Sequence, residues 1–262
     1  MARRVVVTGA SSGIGLALVR RLLAAGDDVV AVDRVDCRAD VSLMVRADLT
    51  DPAGLRTALS SVGGVVHGLA NVAGVPGTAP ALTVLGVNVL GARMVTEEIR
   101  PLLAPGSSIV NVASVAAHRN TVDAHALARL LNVTSGAGIA AWLDEHRLTG
   151  AQAYDTSKAA LVAWTKMLAG ALVAQGIRVN SVSPGPTETP ILGDFRETMG
   201  ADRFDGATKL VGRHGTAEEI AAVVAFLLGP DASWVNGIDI PVEGGLYAAR
   251  AAVSTTEAGS ST

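Results

Sequence analysis

The sequence predicts a doubly wound α/β fold, a parallel sheet of about seven strands with helices on both faces. Three observations carry that prediction. The chain opens on a short apolar run, Val5-Val6-Val7, that passes through a glycine-rich turn directly into a helix-like stretch. Apolar runs then recur at Val29–Val32, Val65–Ala70, Ile109–Ala113, Ile177–Val182 and Ile238–Val242, with helical patterns between most of them. Finally, 49% of the residues are hydrophobic but only 3% are aromatic. Ala, Val, Leu and Gly dominate, which suits helices packed closely on strands buried on both faces.

The chain has 262 residues, enough for one large α/β domain or two small ones and for a sizeable core. A formal net charge of −3, with no block of like charges, gives no pointer to nucleic acid or to a membrane surface. Cys37 is the single cysteine, so internal disulfides are excluded and a reducing compartment fits. Met1-Ala2-Arg3-Arg4 runs straight into the first strand, with no signal-peptide core and no apolar run expected to span a bilayer. A cytoplasmic location is the expectation.

The first element is the strand at Val5–Val7, followed by Thr8-Gly9-Ala10-Ser11-Ser12-Gly13-Ile14-Gly15 and a helix carrying Leu16, Val19, Leu22 and Leu23 up to Gly26. Glycines at such a turn let backbone approach a pyrophosphate, whose charge a helix N-terminus favours. The spacing is G-x-x-x-G-x-G rather than G-x-G-x-x-G, and a plain tight turn is the alternative reading. Gly9, Ser11, Ser12, Gly13, Ile14 and Gly15 are the candidates. The second strand ends at Asp33, twenty residues after Gly13, where dinucleotide folds place a carboxylate on the adenosine ribose. An acid there repels a 2′-phosphate and favours NAD, whereas Arg34 beside it would tolerate NADP.

Thr8 to Gly15, Asn71-Val72-Ala73-Gly74, Ser114, Tyr154-x-x-x-Lys158 and Pro184-Gly185 stand in this order over residues 3 to 247. Together they resemble the signature of the short-chain dehydrogenase/reductase family, most closely its bacterial 3α-hydroxysteroid and coniferyl-alcohol dehydrogenase branch. The resemblance implies a Rossmann-type NAD(P)-binding domain over residues 1–250, with residues 251–262 left as a tail of Ala, Ser, Thr and Gly expected to be disordered.

Little room separates Asp33 from a short third strand at Leu43–Val45. The resemblance puts Asp48 and Leu49 against adenine, although Asp48 is equally readable as a cap for the next helix, for which Asp51 is the better candidate. Asn71 is expected to brace the central strands, and Ala73 and Gly74 to let the cofactor sit close; Val72 stands where the family has a second Asn. The loop from Gly74 to Asn88 is shorter than the family norm. Asn88 itself reads either as part of a proton relay, by resemblance, or as a buried amide satisfying backbone.

Ser114 falls at the carboxyl end of the strand Ile109–Ala113, the edge where open α/β sheets bind ligands. Forty positions separate it from Tyr154, far more than in most of the family. Ser114 is preferred over Ser135 because its place on a strand fixes its direction. The inserted residues, about 116–150, show helical stripes at Leu127, Leu130 and Leu131 and at Ile139, Trp142 and Leu143. They read equally as a hairpin packed on its own domain or a second subunit, and as an apolar wall over the substrate. By resemblance such an insertion alters subunit pairing, favouring a homodimer over a tetramer.

Tyr154 and Lys158, four apart, share one face of a helix. A free phenol titrates near pH ~10, so an adjacent ammonium is expected to draw its pKa down. By resemblance Tyr154 is the general acid/base, Ser114 orients the substrate oxygen, Lys158 also holds the nicotinamide ribose, and Asn88 supports the relay. Pro184, Gly185, Thr187 and Thr189 resemble the loop on the nicotinamide side. Ile191, Leu192, Phe195, Met199 and Phe204 give the following segment an apolar lining. The five histidines, His67, His118, His125, His146 and His214, lack metal-ligand spacing, so no metal is expected. The function expected is NAD-dependent interconversion of a hydrophobic, cyclic or aromatic alcohol and its carbonyl. NADPH-dependent ketone reduction and non-catalytic NAD(H) sensing are the rivals.

Overall fold

Val5, Val6 and Val7 are buried in β1, Arg4–Thr8, because a strand inside a parallel sheet is covered on both faces. The computed structural model describes residues 2–190, 192–199 and 201–259. After α1 (Gly13–Ala24), β2 (Asp28–Asp33) and β3 (Leu43–Arg46) follow without a helix between them. Next come α2 (Pro52–Leu59), β4 (Val66–Asn71), α3 (Ala81–Leu85), a π turn over Gly86–Gly91 and α4 (Ala92–Ile99). β5 (Leu103–Val112) leads into a 3-10 turn at Val115–Arg119, then α5 (Ala124–Leu131), α6 (Gly136–His146) and the long α7 (Gly150–Leu172). The rest is β6 (Arg178–Pro184), β7 (Thr187–Glu188), α8 (Leu192–Met199), α9 (Ala201–Val211), β8 (Gly215–Thr216), α10 (Ala217–Leu228), β9 (Asp239–Val242) and α11 (Leu246–Gly259).

Seven strands make one parallel sheet in the order β3-β2-β1-β4-β5-β6-β9, the doubly wound arrangement expected. The order reverses between β1 and β4, so a crevice opens beyond their carboxyl ends. Alternate residues divide between two cores. Val6, Val30, Val32, Leu69, Ile109 and Val179 face the one that takes in α2, α4 and α7, and Val5, Val7, Val29, Ala31, Val110 and Val182 face the one under α1 and α10. A buried polar ladder crosses the first of these. Asn71 Nδ2 donates to Thr96 Oγ1 and Asn111 Oδ1, and Asn111 Nδ2 to Thr165 Oγ1, each at 2.9 Å. It ties β4, α4, β5 and α7 together beneath the crevice, which is the bracing expected of Asn71.

Two expectations are corrected. α11 runs helical to Gly259, through residues predicted to form a disordered tail. Alanines at 248, 249, 251 and 252 favour helix strongly enough to outweigh the Ser and Thr that follow. In addition, Gly150–Gln175 is long and apolar enough to cross a membrane, contrary to the reading of no such run. Here its apolar residues serve the core: Ala153, Ala160, Leu161, Trp164 and Leu172 are buried against the sheet and its neighbours.

Candidate active site

The turn after β1 owes its shape to its glycines. Gly9 and Gly13 have φ of +65° and +49°, the left-handed region that glycine enters without strain. A Cβ on Gly9 would lie 2.8 Å from the Ala73 backbone, and one on Gly15 would strike the Gly9 carbonyl. The Thr8 hydroxyl accepts from the Val72 and Ala73 amides at 3.0 Å, drawing the end of β4 against the turn. On the far side the loop after β6 returns, so that a Cβ on Gly13 would sit 3.3 Å from the Thr189 methyl. The result is a cleft of about 940 Å³ beside the N-terminus of α1, a cradle that fits a dinucleotide pyrophosphate. Gly9, Ser12, Gly13, Ile14 and Gly15 line it, as do Ala73 and Gly74 and, opposite, Pro184, Gly185, Thr187 and Thr189.

Other predicted cofactor residues stand outside that lining. The Asp33 carboxylate accepts from the Ser11 amide at 3.0 Å and the Arg34 amide at 2.6 Å, so it stiffens the turn. A carboxylate has about four acceptor sites, which leaves capacity for ribose hydroxyls. Arg34 is exposed and close enough to Asp48 to help lower its carboxyl pKa, after the larger effect of two hydrogen bonds from Thr50. Asp48 is not the cap of α2; Asp51 caps it through the Gly54 amide. Leu49 is buried against the π turn, where a Cβ on Gly91 would meet it at 2.7 Å.

Ser114 lies just past the end of β5 and Tyr154 in the first turns of α7, and β5 and α7 pack on each other. The Ser114 hydroxyl stands near enough to the Tyr154 phenol to favour its ionised form. Lys158 sits beneath, its Nζ 5.5 Å from the centre of the Tyr154 ring and donating to the Val112 carbonyl at 2.9 Å. All three line the cleft. Burial pushes the phenol well above its usual pKa; the Ser114 hydroxyl and the Arg119 charge oppose this, and Asp155 adds to it. Burial brings the Lys158 ammonium down to about 8. The expected lowering of the phenol by Lys158 is not seen: desolvation of the phenolate raises its pKa, and the opposing influences come from Ser114 and Arg119.

Asn88 is 1% exposed and takes no part in the lining. Its Oδ1 accepts from the Val75 amide at 2.8 Å, and its Nδ2 donates to the Val75 carbonyl and to Ser157 Oγ, both at 3.1 Å. Ser157 in turn donates to the Tyr154 carbonyl at 2.7 Å. Of the inserted residues, only Ala116 and the run His118 to Thr121 reach the cleft. Leu127, Leu130, Ile139 and Trp142 are core. Ile191 lies outside the described residues, and the side chains of Phe195, Met199 and Phe204 do too.

Residues 3–128 match the sequence profile of the short chain dehydrogenases, and residues 124–247 that of an Enoyl-(Acyl carrier protein) reductase family. A coniferyl-alcohol dehydrogenase of Pseudomonas sp. strain HR199 is 37% identical over 93% of this chain and 96% of its own. The chain belongs to the short-chain dehydrogenase/reductase family. It is thus an oxidoreductase of the Rossmann fold, in a family that binds NAD(P) and acts on small-molecule alcohols and ketones. The 3-alpha-hydroxysteroid dehydrogenase/carbonyl reductase of Comamonas testosteroni is 32% identical to this short-chain dehydrogenase over 93% of the chain and 96% of its own. Among solved structures, the 3-alpha-hydroxysteroid dehydrogenase of Pseudomonas sp. B-0831, complexed with NADH, superposes with a TM-score of 0.78 at 31% identity, covering 94% of this chain and 97% of that one.

Among the cleft residues that the sequence did not point to are Arg119, Asp155, Tyr247 and Arg250. Arg119 grips Asp155 with two guanidinium nitrogens, at 2.6 and 3.1 Å. Tyr247 Oη donates to the Val115 carbonyl at 3.0 Å. The chain has only two tyrosines, which was the one available signal for Tyr247.

Proposed function

We propose that this short-chain dehydrogenase is an NAD-dependent alcohol dehydrogenase for hydrophobic, cyclic or aromatic alcohols. The observation that carries the reading is the convergence of Ser114, Tyr154 and Lys158 on one cleft shared with the glycine turn. A nicotinamide dinucleotide bound along that turn supplies the hydride acceptor. Tyr154, once ionised, takes the proton of the substrate hydroxyl, and returns it when a carbonyl is reduced. Ser114 holds the same oxygen beside the phenol. Lys158 keeps positive charge under the ring and offers its ammonium to ribose hydroxyls. Asn88 spends its amide on Val75 and Ser157, which supports a positioning role, through Ser157, for the turn that carries Tyr154. The cleft has the volume of a drug-sized ligand site, and the hydroxysteroid and coniferyl-alcohol relatives favour a ring substrate.

The test is Tyr154→Phe. It is expected to keep NADH binding, read by fluorescence, and to lose about 10²–10⁴-fold in turnover. Retained turnover would remove Tyr154 from the chemistry. The preference for NAD rests on Asp33. Asp33→Ala is expected to lower kcat/KM for NAD and raise it for NADP, with Arg34 then facing the 2′-phosphate. An unchanged ratio would favour the NADPH reading.

A further inference from the structure

Resting on the dehydrogenase reading, in which Ser114 holds the substrate oxygen, we infer that Tyr247 on α11 is a positioning residue for Ser114: its hydroxyl sets the turn from which the serine reaches the cleft. The sheet alone does not set it. Pairing of β5 with β6 runs to Val112, and one further bond joins the Ala113 amide to the Val182 carbonyl at 2.8 Å. Ser114 stands one residue beyond, at the start of the 3-10 turn over Val115–Arg119. Its hydroxyl oxygen accepts from the Ala116 amide at 3.1 Å, so the direction of the side chain follows the turn. A hydroxyl has one proton and two lone pairs; with one lone pair taken, the proton and the other remain for the phenol and the substrate.

The turn is short, and two helices hold it. α7 grips its last residues: Arg119 pairs with Asp155, and the Thr156 hydroxyl donates to Asn120 Oδ1 at 3.0 Å. α11 holds its start, where Tyr247 Oη donates to the Val115 carbonyl at 3.0 Å, one residue from Ser114. Tyr247 is itself fixed on two sides. Its amide donates to the Glu243 carboxylate at 3.1 Å, at the beginning of the helix. Its ring meets the ring of His118, from the same turn, edge-on at 5.0 Å between centres. Leu246 beside it is buried, which seats the first residues of α11. A misplacement of about 1 Å in a reacting arrangement can cost about 10²-fold in rate, so a bond adjoining Ser114 bears directly on turnover.

The experiment uses the full chain and the variants Tyr247→Phe, Ser114→Ala and the two combined. Tyr247→Phe keeps the ring against His118 and removes only the hydroxyl. The chain has two tyrosines, so carbon-13 in the phenol carbon of tyrosine gives two signals, and Tyr247→Phe leaves that of Tyr154 alone. With NADH bound, Tyr247→Phe and Ser114→Ala are each expected to shift the Tyr154 signal, and the combined variant to show it where Ser114→Ala does. In oxidation of cinnamyl alcohol and cyclohexanol by NAD, Tyr247→Phe is expected to lower kcat about tenfold when Ser114 is present and less than about twofold when it is not, with NADH affinity kept. A fall by the same factor in both backgrounds, no fall in either, or a Tyr154 signal indifferent to Tyr247→Phe overturns the proposal. If Ser114→Ala leaves no measurable rate, the carbon signal decides. Oxidation of neither alcohol by the unaltered chain would count against the dehydrogenase reading, and the carbon signal would still decide for or against Tyr247.

Discussion

Tyr154 is flanked by two opposite charges, and their separate removal predicts opposite results. Asp155 raises the phenol pKa and Arg119 lowers it, while the two hold each other across the mouth of the cleft. In the proposed reaction alcohol oxidation needs the phenolate, so its rate is expected to climb with pH into the alkaline range. Asp155→Asn leaves Arg119 unopposed and is expected to move the acid limb of log kcat/KM to lower pH. Arg119→Gln is expected to move it to higher pH. Shifts in the same direction would mean that the pair acts by holding shape rather than by charge. The placement of Tyr154, Lys158 and Ser114 on one cleft was readable because it follows from local spacing and a strand end. The Arg119–Asp155 pair joins residues 36 apart, and no local pattern announces it. Burial, which governs the Tyr154 phenol, is likewise a property of the folded neighbourhood.

The insertion shows what periodicity conveys and where it stops. The stripes at Leu127, Leu130 and Leu131 and at Ile139 and Trp142 correctly marked two helices, and Ser135 caps the second through the Gly138 amide. Which surface the stripes cover was undecided in the sequence, because an apolar face looks the same over a substrate as over a core. In the structure α5 packs on α7 and α6 on α3. Trp142 is 4% exposed, donates to the Ala126 carbonyl at 3.1 Å and stacks on His146 at 3.8 Å. Trp142→Ala is therefore expected to cost about 3–5 kcal/mol of global stability, measured by urea unfolding. A local loosening without loss of global stability would mark the insertion as a peripheral flap. A helix start was legible elsewhere too, at Asp51, since cap residues act on amides two or three positions away. The helix at the C-terminus was missed because its Ser and Thr residues drew attention from the alanines that form it.

At the scale of the molecule, the fold bears a cost for its active site. Burial holds the Lys158 ammonium at about 8, against 10.5 in an open chain. Between those pH values the unfolded chain binds the proton and the folded one does not. Stability therefore falls as pH drops from about 10.5 to about 8 and levels off below, a total of roughly 3 kcal/mol. Lys158→Met is expected to gain on the unaltered protein by up to about that amount as pH is lowered through the same window, in paired urea titrations at pH ~10 and ~7. A difference independent of pH would mean that the lysine stays charged at little expense. The seven-stranded order and its crevice were legible, since glycine turns and apolar runs state the topology almost directly. Less legible was the outer rim of the cleft, assembled from a mid-chain turn and the last helix. The juxtaposition of β5 and α7 has one more consequence. A strand tip and a helix that lie side by side hold the hydroxyls of Ser114 and Tyr154, so the stretch joining them beyond the turn that carries Arg119, His118, Asn120 and Thr121 stands outside the cleft. Its length and contour are open to remodelling, and with them ligand choice or self-association, while the reacting atoms keep their appointment.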